Sequence, residues 1–229
     1  MKKRILGFAH YRTDLGDGVR TGVYFGSCSG NCSYVCLPSR FPREHFFLEE
    51  EPLEALFYTE EELSNYLLRE KLMYYSKHIG VSFLGKEPLC DSSYCRRVAV
   101  ALKKAGISLH VWSCGLASRG DYSALFGLCD LFVIRLFSPI TPRHKPFPDF
   151  SAETVLDTLR FLNAKKAPFR IYIPVLKGVN EDSAGALSAV IEPLDALKSV
   201  ILDFSRSTLS EDEKRIFKDS FKKKGIVLY

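Results

Sequence analysis

Short runs rich in β-branched and aromatic residues alternate along the chain with longer stretches whose apolar positions recur at helical spacing. Thr21-Gly-Val-Tyr-Phe-Gly26 reads as a strand. Residues 60–78 read as a helix, with Leu63, Leu67, Leu68 and Leu72 on one side and Thr59 as the N-cap ahead of acidic residues. A second strand is expected over 80–84, then a helix over 91–105 that Asp91 or Ser92 caps and Gly106 ends. Residues 107–113 form a third strand, 122–128 a short helix, and Leu131-Phe-Val-Ile134 opens a fourth strand. Pro139, Pro142, Pro146 and Pro148 exclude regular structure over 139–150. A helix over 151–164 precedes a strand over 169–176, with Pro174 near its end. Residues 182–197 are expected to be helical, broken or kinked at Pro193. Val200-Ile-Leu-Asp-Phe204 reads as a strand, Ser210 caps a helix running to Lys224, and 226–229 form a last strand. Residues 38–59, aromatic and acidic without periodicity, read as a long loop near the site.

About six β–α units imply a parallel sheet covered by helices, in an α/β fold. A doubly wound sheet and a partial (β/α) barrel both fit, and in either one the chemistry sits at the C-terminal ends of the strands. The 229 residues are expected to form a single domain spanning 1–229. No sequence repeat of fixed period is present.

Composition removes several classes of function. With 46% apolar and 26% charged residues, the chain is neither dominated by disorder nor a fibre. No stretch approaches the ~20 apolar residues of a membrane span, and Ile5 to His10 is too short for the apolar part of a signal peptide. A cytoplasmic, reducing setting is the expectation. The formal charge is +5, but apart from Met1–Arg4 and Lys222–Lys224 the basic residues are dispersed. Nucleic acid is therefore not an expected partner.

Seven cysteines in a reducing setting need a reason. Cys28, Cys32 and Cys36 lie in one Gly/Ser/Asn-rich stretch directly after the first expected strand, and such a stretch lets three thiolates converge. Soft thiolates select zinc or an iron–sulfur cluster. A 4Fe-4S cluster on three cysteines leaves one iron open to an outside ligand. A distant fourth ligand, such as Cys114 or His110, closes a zinc site instead. Cys90 and Cys95 are read as packed or exposed thiols, and Cys114 and Cys129 as small apolar side chains beside strands. The five histidines show no ligand spacing, and Trp112 belongs to the core or to the wall of the site.

At these residues the chain resembles the radical S-adenosylmethionine enzymes, and within them the pyruvate formate-lyase activating enzyme group, the activases of glycyl radical enzymes. Gly16-Asp-Gly-Val-Arg-Thr-Gly-Val-Tyr-Phe-Gly-Ser-Cys28 is similar to that group's Asp-Gly-Pro-Gly-Ile-Arg stretch, strand and first cysteine. The cysteine loop resembles the CxxxCxxC signature with one added residue, Val35, in the second gap. The resemblance implies that Cys28, Cys32 and Cys36 hold a 4Fe-4S cluster and that Tyr34 packs on the adenine of S-adenosylmethionine. Gly85-Lys-Glu-Pro88 resembles the Gly-Gly-Glu-Pro signature, with Lys86 in place of a glycine. Gly85, Lys86 and Glu87 are thereby placed at the methionine end of the cofactor. The group often carries an acidic residue before a Thr or Ser after its third strand; here Trp112 precedes Ser113. It often carries Asp-x-Lys at its fourth strand; here Arg135-Leu-Phe137 stands there. In some members those carboxylates bind a monovalent cation, and the expectation is that the Arg135 guanidinium replaces that cation beside the cofactor carboxylate. Phe169 to Asp182 resembles the fifth strand and its Val-Pro-Gly-x-x-Asp turn, which puts Val175 at the adenine end.

The fold so implied is a partial (β/α)6 TIM-like barrel with parallel strands and helices outside. The implied activity is reductive cleavage of S-adenosylmethionine to a 5′-deoxyadenosyl radical that abstracts hydrogen from a glycine of a glycyl radical enzyme, with an electron donor such as flavodoxin. Two other readings stand beside it. One is a radical S-adenosylmethionine enzyme acting on a peptide or small molecule. The other is a divergent binding protein with zinc or no metal in the cysteine loop. No single residue is singled out as catalytic, and auxiliary clusters are not expected.

Overall fold

Lys3–Arg12 forms a strand, β1, that no alternation announces, because its side chains are mostly half-buried on both faces. The computed structural model describes residues 1–27, 56–69, 79–139, 151–205 and 207–221, and the backbone of 226–228. These residues fall into two units, one containing 1–27, 56–69, 79–113 and 117–131, the other 114–116 and the residues from Phe132 onward.

In the first unit, β2 (Val19–Phe25) is buried almost throughout, as a strand covered on both faces must be. It pairs antiparallel with β1, whose register shifts between Ile5 and Gly7 and between Ala9 and Arg12. β3 (Leu56–Tyr58) adds antiparallel to the far side of β1. The long loop expected over 38–59 therefore gives way to a strand at its end; residues 38–55 lie outside the described residues. β4 (Ile79–Gly85) pairs parallel with β2 in unbroken register from Val19↔Ile79 to Phe25↔Gly85. β5 (Ser108–Ser113) continues the parallel ladder from Gly80↔Ser108. The order within this unit is β3-β1-β2-β4-β5.

Helix α1 (Glu60–Arg69) starts where Thr59 and Glu62 exchange hydrogen bonds, Glu62 N–H to Thr59 Oγ1 at 3.1 Å and Thr59 N–H to Glu62 Oε2 at 2.7 Å. The rest of the helix expected to 78 lies outside the described residues. Helix α2 (Ser92–Lys104) is capped by Asp91 and buries Tyr94, Cys95, Val98, Ala99 and Leu102, the spacing of one helix face. Helix α3 (Arg119–Ser123) begins three residues before the expected position, because Ser118 and Asp121 form a capping box there.

The Gly16–Arg20 stretch is the core latch of this unit. Arg20 is buried, and its guanidinium donates to Ser82 Oγ (2.8 Å), Val81 O (2.7 Å), Ser108 O (3.1 Å) and Asp17 O (3.1 Å). One side chain thus ties β2, β4 and β5 together near their N-terminal ends. Gly80 leaves it room: a Cβ there would sit 2.6 Å from Ser108 O and 2.7 Å from the guanidinium.

The second unit carries β6 (Leu131–Arg135), β7 (Phe169–Pro174), β8 (Leu197–Asp203) and β9 (Ile226–Leu228), all parallel. Its helices are α4 (Ala152–Ala164), α5 (Ala184–Ile191) and α6 (Glu211–Asp219). The helix expected over 182–197 stops at Ile191, since Pro193 can neither donate to it nor fit its ladder. Leu197 then opens β8, three residues ahead of the expected start. Ser210 caps α6 in a box with Glu213.

The fold class is α/β, with mostly parallel strands, helices outside and a ladder that does not close, as the partial (β/α) barrel resemblance implied. Among the described residues, no helix is long and apolar enough to cross a membrane.

Candidate functional site

The C-terminal end of β4 is built around Gly85. Its φ of +103° lies in the region that favours glycine. A Cβ at this position would lie 2.5 Å from Phe25 O and 2.7 Å from Phe25 N, so no side chain fits. Beyond Gly85 the backbone stays paired with the end of β2: Lys86 N–H donates to Phe25 O and Glu87 N–H to Ser27 O, each at 3.0 Å. The segment that leads into the cysteine triplet is therefore laced to the Gly-Lys-Glu-Pro turn.

Glu87 is 3% exposed, and its carboxylate is fixed from two sides. Oε1 accepts from Leu89 N–H (3.1 Å) as the cap of a 3₁₀ turn over Pro88–Asp91. Oε2 accepts from Ser113 Oγ (3.0 Å), which also bonds the Tyr122 hydroxyl at 2.6 Å. Two of the expected site residues, one in the turn after β4 and one at the end of β5, thus meet directly. Lys86, between Gly85 and Glu87, is exposed. Trp112, the residue before Ser113, is buried, and its indole N–H donates to Leu15 O at 3.3 Å.

In the second unit, Arg135 ends β6 and is 7% exposed. Its Nη1 donates to Cys114 Sγ at 3.2 Å, and the guanidinium carbon lies 5.9 Å from the centre of the Tyr172 ring. Cys114 therefore does more than pack as a small apolar side chain. Its loop is held against α4 by Thr158 Oγ1, which donates to Gly115 O at 2.8 Å. The Tyr172 hydroxyl donates to Asp203 Oδ2, while Asp203 Oδ1 accepts from Ser205 Oγ and from Ser205 N–H (2.9 Å). Val175 is fully buried just past β7, with its N–H on Asp203 O at 2.8 Å. Asn180 clasps the neighbouring loops: its Nδ2 donates to Phe137 O (2.7 Å) and Pro174 O (2.9 Å), and its Oδ1 accepts from Leu176 N–H (2.8 Å).

Cys28, Cys32, Cys36 and Tyr34 lie outside the described residues. Among the described ones, no group of three or more His, Cys, Asp and Glu side chains is placed to hold a metal. Of the remaining thiols, Cys90 is exposed and Cys95, Cys114 and Cys129 are buried. Burial pushes the Cys129 thiol up to about 12 and Cys95 well above the ordinary range. Tyr172, Asp203 and Asn180 carry no sequence signal beyond ordinary strand and turn residues. Their roles depend on partners up to 43 residues away. The residues present suit the groups the resemblance implies. Three thiols follow a strand end pinned by two backbone hydrogen bonds, and Gly85, with no room for a Cβ, holds the adjoining turn and its Glu87 carboxylate against that same strand end.

Parallel strands in an open ladder with helices outside are the arrangement of the partial (β/α) barrels. A domain of pyruvate-formate lyase-activating enzyme from Bacteroides vulgatus superposes with a TM-score of 0.61 at 22% identity, covering 66% of this chain and 98% of that one. Streptococcus suis SuiB superposes with a TM-score of 0.62 at 12% identity over 91% of this chain and 47% of its own. In sequence, the chain is similar to the benzylsuccinate synthase activating enzyme of Thauera aromatica, 26% identical over 54% of this chain and 38% of that enzyme. It is likewise 27% identical to the choline trimethylamine-lyase activating enzyme of Oleidesulfovibrio alaskensis, over 58% of this chain and 43% of the enzyme. The chain spans less than half the length of these relatives. No family model matches it. The resemblance to glycyl radical enzyme activases is thus present in both sequence and fold.

Proposed function

We propose that this chain is a radical S-adenosylmethionine protein of the activating type. In this reading Cys28, Cys32 and Cys36 hold a 4Fe-4S cluster. When bound, the cluster supplies an electron that cleaves S-adenosylmethionine to methionine and a 5′-deoxyadenosyl radical, which takes a hydrogen atom from a glycine Cα of a partner glycyl radical enzyme. The observation that carries the reading is the lacing of Lys86 and Glu87 to Phe25 and Ser27, which couples the Gly-x-Glu-Pro turn to the start of the cysteine triplet.

The chain's own residues then bind and orient. Gly85 lets the end of β4 lie directly against Phe25, which sets the turn that meets the methionine end, with Lys86 at its exposed side. Glu87, held by Ser113 and Leu89, accepts from the methionine amino group as well, a carboxylate having about four acceptor positions. Arg135 offers its planar fork to the methionine carboxylate, in place of a bound cation. Val175 and Tyr34 pack on the adenine and exclude water there. The net charge of +5 suits an acidic electron donor such as flavodoxin.

The test is to purify the protein anaerobically, reconstitute it with iron and sulfide, reduce it, and record EPR spectra with and without S-adenosylmethionine. A 4Fe-4S signal that changes when the cofactor is added is expected. A zinc-loaded protein, or a cluster signal indifferent to the cofactor, overturns the reading.

A further inference from the structure

The guanidinium of Arg135 has its orientation set by two groups, Cys114 and the Tyr172 ring, each of which is itself immobilised. Cys114 fixes one nitrogen, from a loop that Thr158 anchors to α4. The Tyr172 ring lies beneath the guanidinium, and its plane is held because its hydroxyl donates to Asp203. Asp203 in turn cannot rotate freely, since its other oxygen accepts twice from Ser205. Arg135, Tyr172 and Asp203 are all buried, at the C-terminal ends of β6, β7 and β8. A planar fork selects a carboxylate through two parallel hydrogen bonds only when its plane is held; a swivelling one acts as a diffuse charge.

From this geometry we infer that Tyr172 and Asp203 are positioning residues for Arg135, and that their effect is selectivity for a ligand bearing a carboxylate. The inference rests on the assignment of Arg135 to the cofactor carboxylate made above. It predicts a change in discrimination between ligands rather than a general loss of binding.

The experiment uses the cluster-reconstituted protein and two probes, S-adenosylmethionine and its decarboxylated analogue, with Kd measured for each by equilibrium dialysis. The wild type is expected to prefer the carboxylate-bearing probe, and Arg135→Ala to reduce that preference by about a hundredfold, the range of a lost charge-assisted pair. Tyr172→Phe and Asp203→Ala, each with circular dichroism matching the wild type, are expected to lower the preference by about tenfold. Their affinity for the decarboxylated probe stays within about twofold, because neither residue touches the rest of the ligand. If the buried variants do not fold, Ser205→Ala, which removes one donor to Asp203 from an exposed position, is expected to give a reduction of about threefold. Folded variants that keep the wild-type preference while Arg135→Ala loses it overturn the positioning role. An Arg135→Ala protein that keeps the preference removes the assignment of Arg135 itself, and the inference with it.

Discussion

At Gly85 a single missing methyl group decides whether two strand ends can meet. Gly85→Ala places a Cβ 2.5 Å from Phe25 O, at a φ that L residues avoid. A loss on the order of 2–4 kcal/mol is expected, read as a lower urea midpoint, together with weaker cofactor binding. Cys129 offers a different check. Burial raises its thiol from the ordinary value near 9 to about 12, so the folded protein holds this proton more tightly than the unfolded chain. Its contribution to stability is complete below about pH 9 and is lost as pH rises from there through about 12. The urea midpoint is expected to fall between pH 8 and pH 10 less steeply in Cys129→Ala than in the wild type. At this scale the turn over residues 85–88 was legible in the sequence, because a Gly-x-Glu-Pro turn after a strand has a shape of its own. The Arg135 environment was not, since Tyr172 and Asp203, 31 positions apart, look like any aromatic and any polar strand-end residue until the chain folds back.

Among the elements, those with strong local chemistry were read correctly and those defined by tertiary context were not. The buried stripe of α2 and the caps at Asp91 and Ser210 are periodic or local signals. β1 has neither: half-buried on both faces and bulged twice, it never alternates. The end of α5 turned on Pro193, which stops a helix rather than bending it when the next strand starts four residues later. The loop between β7 and α5 depends on Asn180, whose side chain satisfies two backbone carbonyls and one backbone N–H. Asn180→Ala leaves all three without that partner in a buried position. It is expected to cost about 2–4 kcal/mol and to increase proteolytic nicking near residues 175–180, measurable by limited digestion.

For the whole molecule, the α/β class and parallel strands followed from the alternation of apolar runs, while the antiparallel additions β1 and β3 did not. A ligand that binds only the folded chain must raise its stability by mass action. S-adenosylmethionine at a hundred times its Kd is expected to stabilise the reconstituted protein by about 2.7 kcal/mol, seen as a higher melting temperature. An analogue lacking the methionine portion is expected to shift it less at equal concentration, since it lacks the groups that the proposed contacts would hold.

The backbone bonds from Lys86 and Glu87 to Phe25 and Ser27 also set a timescale. A turn on the rim of a sheet ordinarily opens on its own and trades its amide hydrogens with water quickly. Here the turn continues the β2–β4 ladder two residues past its formal end, behind seven pairs in unbroken register. Its two amides are expected to exchange more slowly than those of an unpaired loop, so the clock of this turn is set by fraying of the β2–β4 ladder end rather than by free loop motion.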